Sequence, residues 1–300
     1  MTVPSTTPFF VVGSQRSGTT MLRLMLNKHP DLCVPHESGF IVEQARQADR
    51  FGDLAQADNR ARLVDAIAAH RFVVAGKLLP DRDAVLAEPA ASYAEVVDAI
   101  FRCYARARGK RRWGDKTPDY GQDIGVLWSL FPGAQFIHVV RDGRDVALSL
   151  RTLSWGSRNM IGLARDWAWK TIVPHKVGAA LGPRHYMEIR YEDLVREPEA
   201  GLRRICAFLG ERYDPAMLSY AEDAAKEVPA GSLQWHRTSV SPPDKARAEA
   251  WRTRMSVADR AIFEEHAAEA LALFGYELER HPPSWGTRLR KLRYLLVNRW

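Results

Sequence analysis

The 300-residue sequence carries 43 lysines and arginines against 36 aspartates and glutamates, a formal net charge of +7. Hydrophobic residues make up 46% and charged residues 26%, an ordinary globular balance that excludes a disordered, collagen-like or coiled-coil chain. The excess charge is local, in Arg106, Arg108, Lys110, Arg111 and Arg112 and again in Arg288, Arg290, Lys291, Arg293 and Arg299, which argues against a uniformly basic nucleic-acid binder.

In chain order, the opening MTVPSTTPFF has neither a basic stretch nor a long apolar run, so no signal peptide is expected. Phe9–Val12 is a short apolar run ending at Gly13, the pattern of a buried parallel strand. Met21, Leu22, Met25 and Leu26 recur at helical spacing, and His29-Pro30 stops that helix. Residues 40–108 read as helical. Asp123–Leu130 predicts a helix, and Ala134–Val140 a second buried strand. The charge-free stretch 124–140 is interrupted by Phe131-Pro132-Gly133, so it is no membrane span. Helices are expected at Asp145–Leu153, Ala164–Ala180, Pro198–Leu209 and Ser256–Phe274, and a third strand at Tyr186–Ile189. Residues 226–246, with Pro229, Gly231, Pro242 and Pro243, read as loop. Alternating strands and helices predict one α/β domain over 1–300: a three-layer parallel sheet flanked by helices, with ligands at the strand C-termini.

Cys33, Cys103 and Cys206 are odd in number and far apart, which suits three buried thiols in a reduced cytoplasm. No HxxxH or HExxH spacing and no calcium loop occur, so no metal site is expected.

Gly13-Ser14-Gln15-Arg16-Ser17-Gly18-Thr19-Thr20 lies between the first strand and the first helix, where backbone N–H groups and the helix dipole cradle phosphate. The spacing is that of a Walker A loop, but Thr19 stands where its lysine belongs. That lysine neutralises the β/γ-phosphates of a nucleoside triphosphate. A loop without it suits a 5′-phosphate or a group transferred without metal, with Arg16 supplying the charge.

Arg16–Thr20, followed by His29-Pro30 and Glu37, resembles the 5′-phosphosulfate loop of P-loop sulfotransferases that use 3′-phosphoadenosine 5′-phosphosulfate (PAPS). Phe136–Asp145 with Ser149 is similar to the family motif that holds the 3′-phosphate. Trp113–Pro118 is similar to the segment whose lysine contacts the sulfonate. Arg190–Val195 with Pro198 resembles the block near the adenine. His236-Arg237-Thr238, Ala250-Trp251-Arg252 and Phe274-Gly275-Tyr276 resemble the C-terminal blocks. The likeness runs from residue 9 to about residue 280, nearest to the tyrosylprotein sulfotransferases and bacterial relatives. One departure is Ala250, which stands where the tyrosylprotein branch has a lysine; Arg252 or Arg247 is the replacement.

The resemblance implies sulfonate transfer from PAPS to a hydroxyl acceptor by in-line displacement, releasing 3′,5′-ADP, without a metal. Glu37 is the candidate base and His36 its rival. Arg16 and Lys116, the latter expected on a turn, are the candidate cations. Ser17, Gly18, Thr19 and Thr20 are assigned to the 5′-phosphate, Arg141 and Ser149 to the 3′-phosphate, and Arg252 to the late cofactor contact. Tyr191 and Trp169 are expected near the adenine and Thr238 near the sulfonate, while Arg144 is expected to partner Asp142 or Asp145. Acceptor contacts are expected from 40–108 and 226–246. A carbohydrate, lipid or small metabolite is the favoured acceptor, with peptidyl-tyrosine as the alternative.

Two readings from other classes stay open, a P-loop kinase and a non-catalytic basic protein at a membrane surface. The cluster at 106–112 reads equally as a neighbour of the anionic cofactor or as a solvated helix end. Residues 284–300, with Leu289, Leu292, Leu295, Leu296 and Trp300 at helical spacing, predict a basic amphipathic helix. It either docks on its own domain or rests on a membrane surface. The oligomeric state is open.

Overall fold

The computed structural model describes residues 6–229, 231, 233–236, 239–281 and 284–297. Five parallel strands form its centre: β1 (Phe9–Gly13), β2 (Leu32–Cys33), β3 (Arg112–Lys116), β4 (Gln135–Val140) and β5 (Tyr186–Arg190), in the order β2-β3-β1-β4-β5. Phe10 pairs with Phe136 on one side and with Asp115 on the other. Every residue of β1 is buried, as a central strand covered on both faces requires.

The pleat sends alternate side chains to opposite faces. Phe10 and Val12 enter one apolar cluster with Phe136, while Phe9 and Val11 enter another with Ile137 and Val139. The first cluster is closed by α2 (Ile41–Ala45), α3 (Ala57–Ala68), α4 (Arg71–Gly76), α5 (Arg82–Ala87), α6 (Tyr93–Arg106) and α7 (Ile124–Leu130). The second is closed by α1 (Thr19–Asn27), α10 (Tyr191–Arg196) and α11 (Pro198–Leu209). A third cluster joins α8 (Gly143–Arg151), α9 (Met160–Leu181), α13 (Trp251–Arg254) and α14 (Val257–Leu273). Two further helices are α12 (Leu233–His236) and α15 (Trp285–Val297). The three-layer α/β architecture matches the expectation, and among the described residues no helix is long and apolar enough to cross a membrane.

Two strands escape the periodicity. β2 is two residues long. β3 reads Arg-Trp-Gly-Asp-Lys, yet all five residues are buried. The Arg112 guanidinium makes this possible by donating to the Thr7 and Leu209 carbonyls, Glu211 and Gln135 at 2.6–3.1 Å. A buried cation with a partner at each of its three nitrogens is tolerated where a lone one is not. Lys116 therefore ends a strand and does not sit on a turn.

The 106–112 cluster is absorbed structurally. Arg106 pairs with Glu88, Arg108 lies over the Tyr104 ring, Lys110 caps the carbonyls of Asn27 and His29, and Arg111 and Arg112 pair with Glu211. None of the five lines the large cavity described below. The interval 226–246 is not wholly loop: its described part contains the helical turn α12 and a 3-10 turn at Lys245–Arg247.

Candidate active site

One cavity of about 1370 Å³ opens at the C-terminal edge of the sheet, where β1 feeds α1 and β4 feeds α8. Its floor is Arg16, Gly18, Thr19 and Thr20. Gly18 takes φ +98°, and a Cβ there would stand 2.4 Å from the Tyr191 ring. Only glycine permits that left-handed turn at that closeness. No side chain caps the start of α1. Its first N–H groups thus face the cavity with the positive end of the helix dipole. Thr19 and Thr20 follow directly and line the same wall. The Ser17 hydroxyl turns away to the Ser14 carbonyl, and Ser17 does not line the cavity; it shapes the loop instead of facing a ligand.

Three guanidinium groups meet at one end. Arg16 Nε donates to Ser149 Oγ at 3.0 Å and its Nη1 to the Trp235 carbonyl at 2.7 Å. Arg141 at the end of β4 donates to the carbonyls of Arg16 (3.1 Å) and Arg247 (2.9 Å), and lies 4.5 Å over the Tyr191 ring. Burial pulls the Arg16 pKa below its ordinary value, and the neighbouring Arg141 and Arg247 pull it further. Such a crowd of cations favours a bound anion, because neutralising it relieves their repulsion. Trp167 Nε1 fixes the Arg141 carbonyl at 3.1 Å from behind. Trp169 is 54% exposed and lies off the cavity, contrary to the expectation that it adjoins the adenine; the helical turn aims Trp167 inward in its place.

At the other end, Lys116 Nζ lies 2.6 Å from Glu37 Oε1 and 3.4 Å from Thr20 Oγ1. Glu37, His36 and Thr20 line the cavity, whereas Lys116 is fully buried one layer behind them. Burial lowers the Lys116 pKa and the Glu37 carboxylate opposes that shift. The loop carrying Glu37 is clasped by the residues after β3. Thr117 Oγ1 accepts the Ser38 N–H at 3.3 Å, and the Tyr120 hydroxyl accepts the Ile41 N–H at 2.8 Å. Burial pushes the neighbouring Asp115 carboxyl up to about 6, partly offset by Ser38, Thr117 and Lys116.

Arg252 is not in this cavity. It faces Glu249, Glu277 and Glu279 at 3.4–3.8 Å, while Arg247 and Ala250 do line the wall. Thr238 and Arg237 lie outside the described residues; Trp235 and Ser239 beside them line the cavity. Arg144 does what was expected and more: it binds Asp142 through two bonds, pairs with Glu264 at 2.6 Å and covers the Trp251 ring. Asp145 was not singled out as a site residue. It lines the cavity and accepts the backbone N–H groups of Glu249 (2.9 Å) and Trp251 (2.8 Å), holding the segment that carries Arg247.

The outer wall comes from the helical region, through Val42, Glu43, Arg46, Arg71 and Phe72, and from Trp155 after α8. No sequence signal marked these residues individually. Among the described residues, two groups offer carboxylates and a histidine together, His29/Asp31/Glu211 and Glu264/Glu279/His281. Arginines already pair with both groups, and neither adjoins the cavity.

A family model described as the sulfotransferase family matches residues 8–215. The chain is 28% identical over 292 residues to the nodulation protein NoeE of Sinorhizobium fredii, covering 89% of this chain but 65% of NoeE. It is 23% identical over 289 residues to protein-tyrosine sulfotransferase A of Caenorhabditis elegans, covering 94% of this chain and 70% of the relative. The chain thus spans about two thirds of these relatives' own length. Among solved structures, the sulfotransferase domain of the Synechococcus PCC 7002 olefin synthase superposes with a TM-score of 0.65 at 24% identity, covering 93% of this chain and 98% of the domain.

Proposed function

The chain belongs to the sulfotransferase family, and on that premise we propose that it moves a sulfonate group from PAPS to the hydroxyl of a carbohydrate, lipid or small metabolite. The observation that carries the reading is one cavity with an anion cradle at one end and a buried Lys116–Glu37 pair at the other. Both ends adjoin the uncapped start of α1, so a phosphosulfate lying along that turn spans them.

The donor set fits the two phosphates of PAPS. The N–H groups at Gly18–Thr20 and the Arg16 guanidinium suit the 5′-phosphate, and Arg141 with Ser149 suits the 3′-phosphate. Arg247 takes the late contact in preference to Arg252, because it reaches the wall and Arg252 does not. Tyr191, beneath Arg141, offers an aromatic face beside this pocket. When bound, PAPS supplies an activated sulfonate and leaves as 3′,5′-ADP. Glu37 accepts the proton of the acceptor hydroxyl as that oxygen attacks. Lys116 orients the Glu37 carboxylate and places positive charge behind Thr20, where negative charge grows in transfer. His36, on the same wall, is the rival base.

Thermal shift separates this reading from a P-loop kinase. Saturation with 3′,5′-ADP at 100 times its Kd stabilises by about 2.7 kcal/mol, so a clear rise in Tm is expected with 3′,5′-ADP and none with ATP and magnesium. No shift with 3′,5′-ADP sinks the proposal. A panel of sugar, lipid, phenol and tyrosyl-peptide acceptors with labelled PAPS then identifies the acceptor class, and transfer to tyrosyl peptides alone selects the alternative.

A further inference from the structure

Amphipathic helices of globular proteins bury the apolar face and expose the polar one. In α15 the arrangement is reversed. Thr287, Arg290, Lys291 and Tyr294, three and four residues apart, face the domain. Arg290 Nη2 donates to Asp259 Oδ2 at 2.9 Å, the Tyr294 hydroxyl donates to Asp259 Oδ1 at 2.8 Å, and Lys291 pairs with Glu265. Asn159 at the start of α9 donates to the Tyr294 carbonyl at 3.1 Å. The helix is therefore anchored by its charged face.

Trp285, Leu289, Leu292 and Leu296, spaced 4, 3 and 4, point the opposite way and are 51–78% exposed. At 3.6 residues per turn they make one straight apolar stripe. Arg288 flanks it on one side and Arg293 on the other, both exposed, and the helix contains no acidic residue. Single exposed leucines are commonplace, but a continuous stripe of four marks a surface that something covers. Of the two sequence expectations for this helix, docking on the domain is met by these contacts, and the docked helix still carries an exposed apolar stripe with basic edges. Arg299 and Trp300 lie outside the described residues.

We propose that α15 is an in-plane membrane anchor, lying with Trp285, Leu289, Leu292 and Leu296 in the interfacial layer of an anionic bilayer and with Arg288 and Arg293 at its headgroups. Charge selects this occupant. A second copy seated stripe to stripe brings like-charged arginine rims together, whereas anionic headgroups neutralise them. An aromatic residue and leucines between two cationic edges match the depth profile of a bilayer interface. The inference rests on α15 alone and is independent of the transfer reaction.

The test is flotation of the full chain with vesicles of phosphatidylcholine, alone or mixed with phosphatidylglycerol. Flotation with the mixed vesicles, much reduced with phosphatidylcholine alone, is expected. The triple variant L289S/L292S/L296S should stay at the bottom with little change in Tm, since these side chains are more than half exposed. The variant R288E/R293E should lose at least tenfold in binding to the anionic vesicles. Failure of the wild-type chain to float, or equal flotation of the triple variant, overturns the proposal. Equal flotation with both lipid mixtures overturns its anionic character. A wild-type dimer in sedimentation that the triple variant abolishes, without flotation, assigns the stripe to a second copy instead.

Discussion

Lys116 Nζ at the end of β3 stands 2.6 Å from Glu37 Oε1 in the loop after β2, tying two neighbouring strands together at the cavity wall. The ammonium is fully buried and the carboxylate half-buried, and Glu37 is the main counter-charge of Lys116. Replacing Glu37 by Gln keeps the shape and removes the carboxylate proposed as the base. We expect kcat to fall about 10²–10⁴-fold with 3′,5′-ADP binding retained, measured by single-turnover transfer and thermal shift. Full activity in E37Q together with loss in H36A would move the base to His36.

Removing the lysine is a different experiment. In K116A the Glu37 carboxylate loses its buried partner and the Thr20 wall loses its charge. A double-mutant cycle of K116A and E37Q should give strong non-additivity, since the two side chains are in direct contact at 2.6 Å and their proposed roles are coupled. Additive losses would show that the two act separately.

Arg247 and Arg252 are separated by five positions and by what they face. R247A should weaken 3′,5′-ADP binding roughly tenfold, the order expected for one charge-assisted phosphate contact. R252A, whose guanidinium is held by Glu249, Glu277 and Glu279, should leave binding within about twofold. Calorimetric titration of both variants distinguishes them, and the reverse ranking would refute the assignment.

Burial pushes the Asp145 carboxyl up to about 6, against the pull of Arg141 and the N–H groups of Trp251 and Glu249. Folding thus favours its protonated form relative to the unfolded chain, where the pKa is about 3.9. The cost of keeping it charged grows as pH rises from about 4 to about 6 and is complete above that. D145N carries no such cost. Relative to wild type, the variant should gain about 2 kcal/mol between pH 4 and pH 7, read from denaturant titrations at several pH values. The comparison cancels groups common to both chains, such as His138, whose pKa burial lowers. A pH-independent difference would contradict the buried environment of Asp145.

Arg144 holds Asp142 and Glu264 in the interior beneath Trp251. R144A takes the guanidinium from two buried carboxylates, leaving Glu264 only His281 and the Glu279 N–H, and a loss of about 3–5 kcal/mol is expected. R144K should recover little, because a single ammonium replaces neither the two bonds to Asp142 nor the stacking on Trp251. A variant within about 1 kcal/mol of wild type would contradict the network.

Some of this was legible in the residue string, because it depends on local order alone. The apolar run at 9–12, the glycine-bearing turn at 13–18 and the helix after it follow from backbone rules acting over a few residues. So do the strand at 135–140 and the placement of Arg141 at its end. The family motifs sit on these same turns, and the structure gathers Arg16, Gly18, Thr19, Thr20, Glu37, Arg141, Ser149 and Tyr191 around one cavity. What the string left open depends on partners far along the chain. β3 looks like surface until Glu211 and Gln135 are seen to receive Arg112. The cluster at 106–112 looks like a charged patch until its separate partners are known, and Trp167 and Trp169 differ only in the helix face they occupy. Which face α15 turns to the domain was decided by Asp259 and Glu265, which sit on another helix. Local sequence sets backbone conformation, but the burial of a charge is settled by whether a distant side chain arrives to meet it, and only the tertiary structure supplies that.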